Sequence, residues 1–237
     1  MRERRGPSIL ALHGRGQDER VWGNFLPSLR LYHEVVLVDD LTEATRARFT
    51  DYVILAISEA TSAAVHAARS GHGRALILLA PIPIQVLPEI DLDLRPRVDE
   101  AFKMAEVIGE VAATDDPEQR RSVLADGMVR LLGKEIPSDN IPALRGMLHD
   151  HADQILDSSW EQGSSPASYE DELAALNVPV LVVAAGQDPY AAAIGRALAE
   201  RAPEGDVKLL DTTQILYPWL SQPEAAAEAV TRFLSTL

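Results

Sequence analysis

The sequence predicts an α/β fold, a mostly parallel sheet of about six strands flanked by helices. Three observations carry this. Short runs of Val, Ile and Leu alternate with longer amphipathic stretches, which is how a parallel sheet covered by helices is written in a chain. The runs are continuously apolar rather than alternating, as strands buried on both faces are. The chain has 237 residues, long enough for one sizeable core.

Taken in order, the strands are Ser8 to Gly14 (SILALHG), Glu34 to Asp39 (EVVLVD), Tyr52 to Ser58 (YVILAIS), Ala75 to Pro81 (ALILLAP), Pro179 to Gly186 (PVLVVAAG) and Val207 to Asp211 (VKLLD). Helices are expected between them, over Arg20 to Leu31, Ala60 to Arg69 and Ala191 to Arg201, with a last one from Pro223 to Leu237 that opens on proline. The stretch from Pro83 to Asn177 has helical periodicity and no strand. It reads as a helical cap, residues 83–177, inserted into a core made of residues 1–82 and 178–237. Within it, Val98, Ala101, Phe102, Ala105, Ile108 and Ala112 recur at helical spacing. A second helix starts at Asp115, Asp116 and Pro117, with Val123, Met128, Leu131 and Leu132 on its apolar face, and a third runs from about Pro142 to Leu156. The polar segment EQGSSPASYED around Gly163 reads as a flexible return to the sheet. There is no internal repeat.

Composition narrows the function classes. A formal net charge of −14 repels phosphate backbones and anionic lipid, so neither nucleic acid nor a membrane is an expected partner. Without cysteine there is no disulfide, thiolate ligand or thiol nucleophile, which fits the reducing cytoplasm. The N-terminus reaches His13 and Gly14 after only a short apolar run, unlike a secretory signal. The longest apolar stretch, from Ala75, falls short of the ~20 residues a bilayer requires and is broken by prolines. No phosphate loop, dinucleotide glycine pattern or metal-ligand spacing is present, so no cofactor and no metal are expected. A monomer or homodimer acting on a small molecule is the expectation.

Chemistry concentrates where strands run out. Ala56-Ile57-Ser58-Glu59-Ala60 sets a serine between a buried strand and a helix, with small residues two before and two after it. A nucleophile elbow has that form, because its turn is too tight for larger neighbours and leaves the serine oxygen at a helix N-terminus. The plain alternative is a serine that only caps the helix. Earlier, LALHGRGQDERVWGNFLPSL runs a strand into His13-Gly14-Arg15-Gly16, where a glycine-permitted turn can aim backbone N–H groups at a carbonyl oxygen. Glycine-rich turns also join strands to helices with no such purpose.

These segments, with NVPVLVVAAGQDPYAAAIGRALAERAPEGDVKLLD and ILYPWLSQPEAAAEAVTRFL, resemble the α/β-hydrolase superfamily over residues 8–81 and 178–237. The resemblance implies Ser58 at the nucleophile position and Asp188 at the acid position. It also implies an oxyanion loop at Gly14 and Arg15, with the backbone N–H groups of Arg15 and Glu59 as donors. Trp160 and Tyr217 are the favoured pocket walls. A histidine should follow the last strand. Registered on Gln222-Pro223-Glu224, that position holds Leu216, and shifts of a few residues give Gln214, Ile215 or Tyr217. No histidine occurs after His151, so the departure survives any register error.

A serine hydroxyl without an imidazole is a poor nucleophile at neutral pH. His13 precedes Gly14 in the loop, and His149 and His151 lie on the cap, so each is a candidate replacement base. His66 points away along its helix, and His33 and His72 are expected to be solvated at the opposite end of the sheet. Asp188 has Thr212, Thr213 and Tyr217 as candidate partners. Three readings stay open: a non-hydrolytic enzyme of lyase, isomerase or cyclase type on a small carbonyl- or ester-containing molecule, a serine hydrolase with a displaced base, and a catalytically silent binder.

Overall fold

The computed structural model describes residues 7–41, 51–58, 60–81, 106–132, 136–156 and 169–237. Glu59 and Trp160 lie outside the described residues, as does the first part of the expected cap. Six strands form one sheet: β1 (Ser8–Leu12), β2 (Val35–Val38), β3 (Tyr52–Ile57), β4 (Leu76–Leu79), β5 (Val180–Ala185) and β6 (Gly205–Leu210). Their order is β2-β1-β3-β4-β5-β6, and every pair is parallel.

Both faces of the four central strands are buried, with side chains assigned alternately to each. Ile9, Ala11, Val53, Leu55, Ile57, Ile77, Leu79, Leu181 and Val183 join one core, while Leu10, Leu12, Ile54, Ala56, Leu76, Leu78, Val180 and Val182 join the other. The first face packs on α1 (Phe25–Arg30) and the last helix. The second packs on α2 (Ala60–Arg69).

The rest of the chain follows as α3 (Pro117–Leu132), α4 (Ile141–Asp150), α5 (Ala152–Leu156), α6 (Tyr169–Leu173), α7 (Pro189–Arg201), α8 (Pro218–Ser221) and α9 (Pro223–Leu234). The helix expected over Arg20 to Leu31 is two pieces, a 3-10 turn at Glu19–Trp22 and α1. Gly23 separates them at φ 46, and a Cβ there would meet Leu220 Cδ2 at 2.6 Å. The expected helix from Pro142 to Leu156 also divides, because His151 leaves helical geometry at φ −105 and ψ 11. Residues 106–112 are helical, but their buried face is Val107 and Val111 while Ile108 is 55% exposed. Of the expected stripe, Ile108 and Ala112 are exposed and the buried positions lie one residue earlier, since Gly127 of α3 offers the hollow that Val107 fills, while Val98, Ala101, Phe102 and Ala105 lie outside the described residues. The tail of the expected flexible return is helical, with Tyr169 and Glu170 of α6 buried. His33, expected in solvent, is 5% exposed, its Nε2 3.2 Å from Thr231 Oγ1, and burial pushes its pKa down.

Charge fastens α4 and α5 to the segment following β1. Arg20 donates to both oxygens of Asp18 and its Nη1 lies 2.8 Å from Asp150 Oδ2, while His151 Nε2 lies 3.0 Å from Asp18 Oδ2. Burial pushes the Asp18 carboxyl up, but bonds from the Arg20 side chain and backbone N–H and from His151 outweigh it and hold the group well below the usual carboxylate range. A lowered carboxyl pKa contributes stability above the unfolded value of ~3.9 and loses it as pH falls toward the folded value. Asp18→Asn keeps the capping oxygen and removes the charge. With the two side chains 28% and 31% exposed, solvent screens the pair. The substitution is expected to destabilise the fold by about 1–2 kcal/mol in urea titrations at pH 7. The gap should narrow steadily below about pH 4, and equal stabilities at pH 7 would show that the charge cluster contributes nothing.

Candidate active site

In an all-parallel sheet every carboxyl end lies along one edge, so the segments leaving β1, β3, β4, β5 and β6 meet there. Ser58 follows β3 and Asp188 follows β5, with β4 between them. Strand spacing puts the axes of β3 and β5 roughly 10 Å apart.

Ser58 has φ 54, a left-handed conformation that a side chain with Cβ adopts at a cost. Its N–H donates to the Leu79 carbonyl at 3.3 Å, and its own carbonyl accepts from Thr61 N–H at 3.2 Å, opening α2. The chain therefore reverses from strand to helix within a few residues, with Ala56 and Ala60 buried on either side. Ser58 itself is buried, at 8% exposure. A cap of ordinary geometry needs no positive φ. Ala80, at the end of neighbouring β4, is also left-handed at φ 44.

Gly14 and Gly16 are buried and Arg15 between them is exposed. Gly16 has φ 69, and a Cβ on it would lie 2.7 Å from Ile155 Cγ1 of α5. Gln17 closes the turn. Its side-chain Oε1 accepts the Gly14 N–H at 2.8 Å, its backbone N–H donates to the Gly14 carbonyl at 3.2 Å, and its Nε2 donates to the Tyr217 hydroxyl at 3.4 Å. The Gly14 N–H is thus already engaged. Among the described residues nothing accepts the Gly16 N–H. Gln17 was not singled out from sequence. The one available signal was an amide side chain, donor and acceptor together, closing a Gly-x-Gly turn.

Asp188 caps α7, its Oδ1 accepting from Ala191 N–H at 2.7 Å. Among the described residues its carboxylate takes this bond from its own helix, rather than one from Thr212, Thr213 or Tyr217. The segment after β6 is held separately: Gln187 N–H donates to the Thr212 carbonyl, and buried Gln214 donates to the Leu132 carbonyl of α3 at 2.7 Å. Leu216 N–H returns to Gln214 Oε1 at 3.2 Å. The Leu216 side chain is partly buried against the core cluster that Met128, Leu131 and Ile155 also join. Tyr217 is buried and meets Trp219 edge-on at 5.6 Å, and Trp219 Nε1 donates to the Val21 carbonyl at 2.9 Å.

Five of the six histidines have partners other than Ser58 among the described residues. His13 Nδ1 lies 3.1 Å from the Gly14 carbonyl oxygen, and its Nε2 lies 3.7 Å from Asp39. His149 sits 3.1 Å from Glu118 and His151 sits 3.0 Å from Asp18. His66 faces Glu172 and His33 faces Thr231. His72 lies in the turn that enters the amino end of β4.

No protein-family model matches the chain and no curated protein does. Solved structures match it over nearly its whole length. A hydrolase from Oleispira antarctica has a TM-score of 0.69 at 16% identity, covering 98% of this chain and 92% of that one. An esterase from Rhodococcus sp. has a TM-score of 0.67 at 17% identity, with 98% and 91% covered. The protein AqDC, which recognises and cleaves the ring of the Pseudomonas quinolone signal, has a TM-score of 0.59 at 19% identity, with 97% and 92% covered. The matched proteins share the α/β-hydrolase fold, and this chain has that fold.

The left-handed serine gives a direct test of the elbow. Ser58→Gly and Ser58→Ala both remove the hydroxyl, and only glycine relieves the φ. The glycine variant is expected to be more stable than the alanine variant by about 1 kcal/mol, the left-handed penalty net of the larger unfolded entropy of glycine. Equal denaturation midpoints for the two would mean that the backbone stores no strain there.

Proposed function

We propose that this chain is an enzyme acting on a small carbonyl- or ester-containing molecule under the cap, by lyase, isomerase or cyclase type chemistry without an acyl-serine intermediate. The observation that carries the proposal is the combination of a strained serine elbow with leucine at the position the superfamily resemblance gives to histidine. Hydrolysis through Ser58 requires a base to take the hydroxyl proton and return it to the leaving group. The partners found for His13, His149 and His151 are Asp39, Glu118 and Asp18. That disfavours a recruited imidazole.

What such a site can still supply is shape, exclusion of water and stabilisation of charge on oxygen. A substrate carbonyl seated at the elbow would accept hydrogen bonds from the loop after β1 and from the residue after Ser58. As electron density moves onto that oxygen, these fixed dipoles stabilise it without reorganising. The Ser58 hydroxyl can hold the substrate as a donor, and the Asp188 carboxylate can take or hold a proton. Leu216, with the partly buried Met128, Leu131 and Ile155, suits the apolar body of an uncharged molecule. The printed activities of the structural relatives, from esterase to ring cleavage, fit a fold that hosts several chemistries.

Intact-mass spectrometry after exposure to a fluorophosphonate, from pH 6 to 9, tests the proposal. The folded protein is expected to stay unlabelled. Stoichiometric labelling that disappears in Ser58→Ala would overturn it in favour of a serine hydrolase. Leu216→His tests the assignment of the missing position. An imidazole placed there is expected to raise the Ser58 labelling rate at least about tenfold, toward the range general-base assistance supplies. A folded Leu216→His protein that reacts no faster would show that position 216 is not the histidine equivalent.

A further inference from the structure

The loop after β1 and the segment after β6 are joined through one side chain. Gln17 Oε1 takes the Gly14 N–H at 2.8 Å, and its Nε2 reaches the Tyr217 hydroxyl at 3.4 Å. Tyr217 is itself fixed, 6% exposed and edge-on to Trp219, which is fully buried. Gly14 is pinned twice more, because the Gln17 backbone N–H and His13 Nδ1 both approach its carbonyl, at 3.2 and 3.1 Å. Residues 14 and 17 are therefore locked while the peptide groups of Arg15 and Gly16 span the gap between them. The Gly14 N–H, occupied by Gln17, is removed from the set that can serve a substrate oxygen.

We infer that Gln17 is a positioning residue: it aims the Gly16 N–H group at the substrate oxygen by tying the loop that carries it to Tyr217, beside the position the superfamily resemblance gives to histidine. The inference rests on the crevice binding a carbonyl oxygen as proposed above. Physically, a backbone donor stabilises developing charge only to the extent that its direction is set beforehand. A turn with glycine at both ends holds no direction by itself. The amide of Gln17 supplies the restraint, one end on the loop and the other on a buried aromatic anchor. It touches no reacting atom.

The test uses 4-nitrophenol as an oxyanion probe, at a pH below its own pKa, where phenolate colour appears only if bound donors stabilise the anion. It requires no nucleophile and no base. Gln17→Met keeps the length and bulk of the side chain and removes both polar atoms, and Tyr217→Phe removes the anchor hydroxyl alone. The wild type is expected to bind the probe with phenolate colour. Gln17→Met is expected to bind it at least tenfold more weakly and mainly as neutral phenol, with Tyr217→Phe between the two. Colour at saturation reads donor direction, which a purely structural role for Gln17 would leave unchanged while lowering Tm. Unchanged colour in a folded Gln17→Met protein overturns the inference and leaves the crevice as proposed. If Gln17→Met fails to fold, Tyr217→Phe decides, a loss of colour supporting the inference and full colour overturning it. A wild type that binds no probe overturns the carbonyl site itself, and the inference with it.

Discussion

A parallel sheet must be covered on both faces, and the rest of this molecule follows from that requirement. With β3, β4 and β5 apolar throughout and β1 apolar beyond Ser8, the chain has to alternate helices between the two sides, and the side chains of each strand divide between two cores. Right-handed crossovers then return every strand in the same direction. Strand-to-helix turns consequently gather on one edge of the sheet. Ser58, the Gly14 to Gln17 loop, Asp188 and the segment through Tyr217 come from distant parts of the chain. They share that edge because a buried parallel sheet leaves no other arrangement.

What distinguishes the edge is how its polar groups are occupied. The carboxylate of Asp188 caps α7, the amide of Gln17 serves Gly14 and Tyr217, and Gln214 serves Leu132 and Leu216. Two amides, those of Gln17 and Gln214, tie the segments of this edge together. An amide donates and accepts without changing charge, so it can fix loops against one another but cannot shuttle a proton. On the flank, Arg20, Asp18, Asp150 and His151 join α4 and α5 to the segment following β1.

Legibility varied with the range of the forces involved. The six strands were readable, because a run such as VLVVAA or YVILAI has no polar residue to place elsewhere. So was α2, matched at both ends, since strand, serine and small residues follow each other locally. The breaks at Gly23 and His151 were not. Gly23 yields to Leu220 and Asn140, almost two hundred and more than one hundred positions away, and His151 yields to Asp18. Val107 displaced Ile108 from the buried face because Gly127 leaves a hollow, a fit that periodicity in one helix does not encode. His33 looked exposed in a short connection, and burial beside Thr231 of α9 decided otherwise.

By itself the sequence determined the α/β architecture, the serine turn between β3 and α2, the acid after β5 and the lack of any histidine beyond His151. Each depends on the identity of residues or on contacts among near neighbours, which composition and order carry directly. Tertiary structure alone decided that Ser58 sits at positive φ, that Asp188 caps its own helix, that five of the six histidines pair with carboxylates or a threonine, and that Gln17 reaches Tyr217. Those outcomes are competitions for partners across the fold, and a hydrogen bond 200 positions long is settled only when packing brings its two ends to the same edge of the sheet.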